Sequence, residues 1–161
     1  MQIKCYMQIV GDAQGELQAD STISGREGKI SVLDYNHAVG HPNSKQGLIG
    51  NSYTSHSLVQ VTKLVGKESP LLMTAMLNKE NLSTVGIEWY RPNKTGAETL
   101  YYRVELKNAL ISNIAHSTPG TDQEGQENAL LSENCSFVYE EISWAWGEGG
   151  GTECRSKWRV S

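Results

Sequence analysis

The amino-acid sequence predicts a mainly β protein, built as a small closed or nearly closed β-barrel with one flanking α-helix and a long protruding loop. Three observations support this fold class. Apolar and polar residues alternate in roughly six to eight short runs, which is the period of half-buried strands. A single segment has the residues of a helix. Closure of such a sheet would remove the exposed strand edges that otherwise aggregate.

The length of 161 residues is that of one domain of ordinary size. We therefore expect residues 1–161 to form a single barrel domain. The chain has few large apolar residues for its length. Leu, Ile, Val and Phe together number 34, which is close to the level at which one hydrophobic core becomes difficult to build. Association between copies of the chain would add buried apolar surface.

The first three strands are predicted by alternation and by glycine. In the first ten residues, Ile3, Cys5, Met7 and Ile9 share one face. The segment GDAQGE that follows predicts a turn. A second strand holds Ile30 and Val32 after Gly25 and Gly28, and a third holds Val59, Val61 and Val65.

The helix is predicted over Ser69–Lys79. Ser69 can cap the free amide groups, Pro70 suits the first helical position, and the run LLMTAML contains strong helix formers. We expect Leu72, Met73 and Met76 to face the core.

Three later runs return to the alternation of strands. They hold Val85, Ile87 and Trp89; then Leu100, Tyr102, Val104 and Leu106; then Val138, Ile142, Trp144 and Trp146. The segment PNKTG predicts a hairpin turn between the first two runs. The third run contains a one-residue slip, for which we expect a bulge between Val138 and Ile142. Leu110 and Ile114 extend the strand set, and Trp158 is expected to close it.

Charge and composition exclude two kinds of partner. The chain has 14 basic and 18 acidic residues, and Ser, Thr, Asn and Gln outnumber the charged residues. Because nucleic acid requires a basic face, we expect no nucleic-acid partner. No run approaches the roughly 18 apolar residues of a membrane span, and the first residues lack the pattern of a signal peptide. We therefore expect no membrane insertion and synthesis as a soluble cytoplasmic protein.

No metal site or disulfide framework is predicted. Cys5, Cys135 and Cys154 are odd in number and widely separated, and we expect Cys5 and Cys135 to be buried thiols. Asp34, His37, His41 and His56 are grouped in the sequence, but their spacing fits no zinc pattern.

No catalytic or cofactor-binding constellation is predicted either, so we expect a protein that is not an enzyme. The motifs GxSxG and SxxK are absent. Glu140 and Glu141 are adjacent in a strand and point to opposite faces, so they cannot act together on one bond. Trp144 and Trp146 are expected to pack against a core or a neighbouring subunit.

The connection from Asn36 to His56 is the best candidate for a functional segment. A compact domain seldom keeps a structureless loop of about 20 residues without a use. This loop contains Leu48, Ile49 and Tyr53 as apolar anchors, between glycines that give its backbone freedom. The connection from Ser117 to Leu131 and the glycine run at 147–151 are also unusual.

Five segments carry a further similarity when taken in order. They are GREGKISVLDYNH (25–37), KESPLLMTAM (67–76), TVGIEWYR (84–91), ETLYYRVELKNALISNI (98–114) and NCSFVYEEISWAW (134–146). Together they resemble the Hcp family, the tube protein of the type VI secretion system. The most specific features are the RExxI strand before a histidine-bearing loop, the Ser-Pro helix and the late YxxIxW strand.

This resemblance implies a β-barrel that assembles into six-membered rings, which stack into a hollow tube. It implies that a contracting sheath expels the tube from a bacterial cell with a spike at its tip, and that the lumen can hold effector proteins. It also implies that the loop from Asn36 to Ser55 is the ring-to-ring contact and that Asn36 lies in the region facing the lumen. The site residues implied for stacking are Asn36, His37, His41, Leu48, Ile49 and Tyr53. The GEGGG turn and the tail containing Cys154 depart from many relatives, so no contact is carried over there.

Two other functions stay open from the residues alone. One is a barrel that binds a small ligand such as a carbohydrate, with Trp144, Trp146 and Tyr53 lining its pocket. The other is a metal-dependent hydrolase that uses Asp34, His37 and His41.

Overall fold

The computed structural model describes residues 3–41, 54–120, 130–147 and 151–158. One helix and twelve strands lie within these ranges. The helix is α1 (Ser69–Leu77), and the strands are β1 (Lys4–Gly11), β2 (Gly15–Glu16), β3 (Ile30–Val32), β4 (Asp34–Asn36), β5 (Val39–Gly40), β6 (Ser55–His56), β7 (Val59–Leu64), β8 (Leu82–Pro92), β9 (Glu98–Ser117), β10 (Ser132–Val138), β11 (Glu141–Trp146) and β12 (Thr152–Lys157).

Most of the strands belong to one antiparallel sheet. Its main path runs β2, β1, β8, β9, β10, β7 and β4, with β11 added to β9 and β12 added to β11. The segment containing β3 and β4 links the two ends of this path, because β3 pairs with β1 and β4 pairs with β7. The sheet does not close completely, so the nearly closed form of the predicted barrel is confirmed.

The core lies between the two halves of this folded sheet. Met7 and Ile9 of β1, Ile87 of β8, Leu106 of β9 and Phe137 of β10 are fully buried. The predicted hairpin turn between β8 and β9 is confirmed, with a left-handed φ of +85° at Gly96. Alternation thus identified Met7, Ile9, Ile87 and Leu106 correctly as inward residues, whereas Ile3, predicted on the same face as Met7, is exposed.

The late strand differs from its prediction. The expected single strand with a bulge is two strands, β10 and β11, separated at Tyr139 and Glu140. Both pair with β9, and Asn108 of β9 lies opposite the break with a φ of +52°. The interruption between β10 and β11 thus lies beside a left-handed residue of β9. Phe137 is therefore the inward residue of β10, whereas Val138 is only half-buried.

The helix lies where predicted, but its start differs. Ser69 is the first helical residue and Glu68 is the N-cap, with no side-chain cap. The Ser69 hydroxyl instead accepts a hydrogen bond from the Gly66 amide, 3.0 Å away. Leu72 and Ala75 are buried and Met76 packs against the core, so Ala75 takes the core position expected of Met73. Within the described ranges, no helix combines the length and apolarity needed to cross a bilayer.

Candidate functional site

The two ends of the long loop leave the barrel side by side. β5 and β6 form a separate two-stranded ribbon, in which Val39 pairs with His56 and Gly40 with Ser55. His41 lies across the same ribbon from Thr54, and its Nε2 is 3.0 Å from the Thr54 hydroxyl. We call residues 36–41 and 54–57 the loop base. Its pairing fixes the spacing of the two backbone segments that lead into and out of the loop.

The hydroxyl of Tyr139 joins both sides of the loop base to the barrel. His37 Nε2 lies 2.7 Å and His56 Nδ1 lies 2.9 Å from this oxygen, and the carbonyl oxygen of Ser57 lies 3.2 Å away. A carbonyl can only accept, so the Tyr139 hydroxyl donates to Ser57. Its two lone pairs then accept one N–H from each histidine. This arrangement assigns the proton of His37 to Nε2 and that of His56 to Nδ1.

His56 is held by two more contacts from the end of the chain. Its Nε2 lies 3.1 Å from the hydroxyl of Ser156 on β12, which can donate to it. The ring of Trp158 stacks on the His56 ring at 5.9 Å, and it also contacts Tyr139 at 4.9 Å. We call His37, His56, Tyr139, Ser156 and Trp158 the loop-base cluster. Trp158 was expected to close the strand set, but it lies beyond the end of β12 and packs against the core instead.

The loop-base cluster favours neutral histidines. Burial lowers the pKa of His56 below its usual value. Burial, followed by the nearby His56, lowers the pKa of His37 in the same direction. Burial also raises the pKa of Tyr139, so its hydroxyl keeps its proton. The cluster is therefore an uncharged hydrogen-bonded anchor at neutral pH, in which each polar atom discussed above has a partner.

The predicted stacking residues fall into two groups. Asn36 is exposed on β4, His37 is turned toward Tyr139, and His41 is exposed on the ribbon. Leu48, Ile49 and Tyr53 lie outside the described residues. Whether Asn36 faces a lumen stays a prediction.

Tyr139 was missed by sequence reasoning. It continues the inward alternation of Cys135 and Phe137 beyond the end of β10, and this was the signal that could have found it. The prediction had placed Val138 inward instead. His56 and Tyr139 are 83 residues apart in the chain, so no local pattern joins them.

A buried ion cluster fixes the helix to the barrel. Lys63 of β7 is fully buried, and its Nζ lies 2.7 Å from Glu68, 3.1 Å from the Ser69 hydroxyl and 3.4 Å from Glu133 of β10. His116 Nε2 lies 2.9 Å from the other oxygen of Glu133. Burial alone would raise the pKa of Glu133, but Lys63 and the hydrogen bonds of Ser69 and His116 lower it below its usual value. This cluster stabilises the start of α1.

The thiols of Cys5 and Cys135 keep their protons at neutral pH. Burial raises the pKa of Cys135 to about 12, and the same cause raises that of Cys5 to about 12. Cys135 is buried as expected, whereas Cys5 is only half-buried. Among the described residues, no group of three or more His, Cys, Asp or Glu side chains is arranged to hold a metal ion.

The two tryptophans of β11 make different contacts. Trp144 packs against the core and lies 6.3 Å from the His37 ring. Trp146 is half-exposed, with the guanidinium of Arg91 over its ring at 5.2 Å and Tyr101 against its edge. Both rings therefore pack against the protein itself, as the period-two spacing predicted.

The fold is that of a nearly closed, mainly β barrel whose loop base and buried ion cluster are held by contacts within the chain. A family model described as "Type VI secretion system effector, Hcp" matches residues 6–146. The chain therefore belongs to the Hcp family, and the resemblance predicted from its five segments is confirmed. Membership makes it a type VI secretion tube protein, a structural component and not an enzyme.

Individual relatives agree with this assignment. The chain is 30% identical over 168 residues to the major exported protein of Pseudomonas aeruginosa strain PAO1, covering 99% of this chain and 97% of that one. It is 27% identical over 146 residues to the uncharacterized protein YhhZ of Escherichia coli K12, covering 85% of this chain but 33% of YhhZ. The chain is a type VI secreted protein, as its family and the exported relative indicate.

Solved structures share the fold over the full length. The crystal structure of an Hcp protein superposes with a TM-score of 0.86 at 23% identity, covering 99% of this chain and 100% of that one. The secreted protein Hcp3 from Pseudomonas aeruginosa superposes with a TM-score of 0.78 at 27% identity, with the same coverage.

Proposed function

We propose that this chain forms six-membered rings that stack into the hollow tube of a type VI secretion system. Residues 1–161 form one barrel domain, the repeating unit of the tube. Rings assemble in the bacterial cytoplasm, and the sheath expels the tube with a spike at its tip. Effector proteins travel in the lumen.

The observation that carries this proposal is the double attachment of the loop base through Tyr139. A contact segment that is ordered before binding loses less conformational entropy when it binds. The loop-base cluster orders the backbone on both sides of the loop. His37 holds the segment before the loop, and His56 holds the segment after it. Such preorganisation suits a segment that must dock on each new ring.

Each predicted loop residue has a role in this proposal. His37 and His41 hold the base, and Leu48, Ile49 and Tyr53 supply the apolar contact with the next ring. Asn36, uncharged and exposed beside Gln60, fits a neutral polar wall along which cargo slides without strong binding.

Native mass spectrometry of the purified chain tests the proposal directly. We expect complexes of six subunits of 17.7 kDa each and multiples of six. In the double variant Leu48→Asp and Ile49→Asp, we expect intact hexamers that no longer stack, because burying two unpaired charges is strongly unfavourable. A monomer alone at high protein concentration would overturn the proposal.

The alternative of a small-ligand-binding barrel gains no support from the tryptophans. Trp144 lies against the core and Trp146 lies beneath Arg91. These separate contacts occupy the two rings that were expected to line a ligand pocket.

A further inference from the structure

The barrel has a seam where its sheet fails to close. β3 pairs with β1 and β4 pairs with β7, so no strand pairing joins β3 to the last residues of β7. A groove of about 400 Å³ lies at this seam. Its walls include Ser21, Ile23 and Leu33 on one side and Leu64 and Val65 on the other.

The groove exposes large apolar side chains. Leu33 is 60% exposed and Leu64 is 40% exposed, and Ile23 and Val65 are comparably accessible. Leu131 extends this surface, since its carbonyl accepts the amide of Val65 at 3.1 Å. On β7 the inward positions are Val59, Val61 and Lys63, so Leu64 occupies an outward position where a polar residue is usual. Contiguous apolar surface of this kind marks an interaction site.

The charged groups at the groove are already paired within the chain. Lys29 binds Glu88, Glu68 binds Lys63, and Lys67 lies 3.7 Å from Asp20. The groove therefore favours an uncharged apolar occupant over an ion. The buried hydroxyl of Ser21 has no hydrogen-bond partner among the described residues, which leaves one polar group for the backbone of an incoming segment.

The groove and the loop base lie at opposite ends of β7. Asn36 at the loop base pairs with Gln60, near the start of the strand, while Leu64 ends it. Complementary surfaces at the two ends of one strand allow a head-to-tail repeat, in which the loop of each copy meets the groove of the next. Twelve residues, 42–53, lie outside the described structure between the two halves of the ribbon, and they include the uncharged sequence GLIG at 47–50. Going out and back, they reach about 20 Å.

We propose that the groove formed by Ile23, Leu33, Leu64 and Val65 receives the Leu48–Ile49 segment of a second copy of this chain in the adjacent ring. This inference rests on the proposed function and names the surface that accepts the loop. The apolar tip covers the exposed leucines at the seam, and its backbone offers a partner to Ser21.

Substitutions in the groove test the proposal. Leu33→Asp and Leu64→Asp place a charge on an exposed side chain, so we expect folded hexamers with ring-to-ring association weakened roughly tenfold or more. Leu77→Asp is the matched control, because Leu77 is 70% exposed on α1 and does not line the groove. Sedimentation velocity and electron microscopy measure the stacks, and thermal unfolding checks the fold.

The outcomes separate this inference from the proposed function. If the Leu48 and Ile49 double variant stops stacking but the groove variants stack like the control, the loop docks elsewhere and the groove proposal fails alone. If the groove variants lose their hexamers, the groove is a contact within the ring and the proposal is again wrong. If the unaltered chain forms no rings, both proposals fail.

Cross-linking identifies the occupant. Ile49→Cys in one protein and Leu64→Cys in another, each with the exposed Cys154 replaced by Ser, are mixed and oxidised. We expect a covalent dimer on a non-reducing gel, because a disulfide forms only when the two Cα atoms approach to roughly 7 Å or less. A bond that forms only when both cysteines are in the same chain would show that the loop covers its own groove. That result, or no bond at all, overturns the proposal.

Discussion

One phenolic oxygen, that of Tyr139, holds together segments that are far apart in the sequence. It binds His37 before the loop and His56 and Ser57 after it. With its single proton donated to the Ser57 carbonyl, its lone pairs accept an N–H from each histidine. The position of the loop base therefore depends on one hydroxyl group.

Removing that hydroxyl gives the first prediction. Tyr139→Phe keeps the ring against Trp158 but removes the partner of the buried His56 N–H, of the half-buried His37 N–H and of the Ser57 carbonyl. We expect the free energy of unfolding to fall by roughly 1–3 kcal/mol, the usual cost of unsatisfied buried polar groups. Chemical denaturation measures this, with Tyr101→Phe as the control, whose ring packs against Trp146. Equal losses in the two variants would contradict the role of the hydroxyl.

The two histidines also predict a dependence on pH. Burial lowers their pKa values in the folded protein, so the unfolded chain binds protons more readily. Stability is therefore full above the unfolded pKa of 6.5 and is lost as the pH falls below it toward the lowered folded values.

Denaturation at about pH 7.5 and about pH 5.5 measures this loss, and both values stay above the range in which carboxyl groups titrate. In the double variant His37→Gln and His56→Gln, we expect the difference between the two pH values to shrink. An unchanged difference would assign the effect to other groups.

At the scale of secondary structure, the start of α1 is stabilised by the fully buried cation of Lys63. Lys63 lies between Glu68 at the start of the helix and Glu133 of β10. Lys63→Met would leave two buried carboxylates without their cation, so we expect a loss of roughly 3–5 kcal/mol in unfolding free energy. The triple variant that adds Glu68→Gln and Glu133→Gln should recover much of this loss. Thermal and denaturant unfolding compare the three proteins, and a triple variant less stable than Lys63→Met would be the contrary result.

The elements that the sequence predicted well are those whose own residues determine them. β1 and β8 alternate clearly, and α1 contains consecutive helix formers. β12 was not predicted, because TECRSK has no apolar alternation and its strand conformation comes from pairing with β11. The break between β10 and β11 was missed for the same kind of reason. It accompanies the left-handed φ of Asn108 in β9, a feature of the neighbouring strand.

At the scale of the whole molecule, the candidate site was only partly predictable. The loop stood out by its length, and His37 by its place in a motif shared with the Hcp family. Its anchor could not be predicted, because Tyr139 and Trp158 lie about a hundred residues further along the chain and join the loop base only in the folded barrel. The groove at the seam could not be predicted from the sequence either, because the exposed Leu33 and Leu64 are of the same residue type as core leucines.

The charges of the whole subunit predict how its stacks respond to salt. At the groove, Lys29, Glu68 and Asp20 are each paired within the chain, and the GLIG sequence carries no charge. Salt screens exposed ion pairs but does not weaken apolar contacts. We therefore expect ring stacking to persist, with equal or greater affinity, when sodium chloride is raised from about 0.05 M to about 0.5 M. Sedimentation at the two concentrations measures the stacked fraction, and separation into single rings at high salt would instead assign the contact to charged side chains.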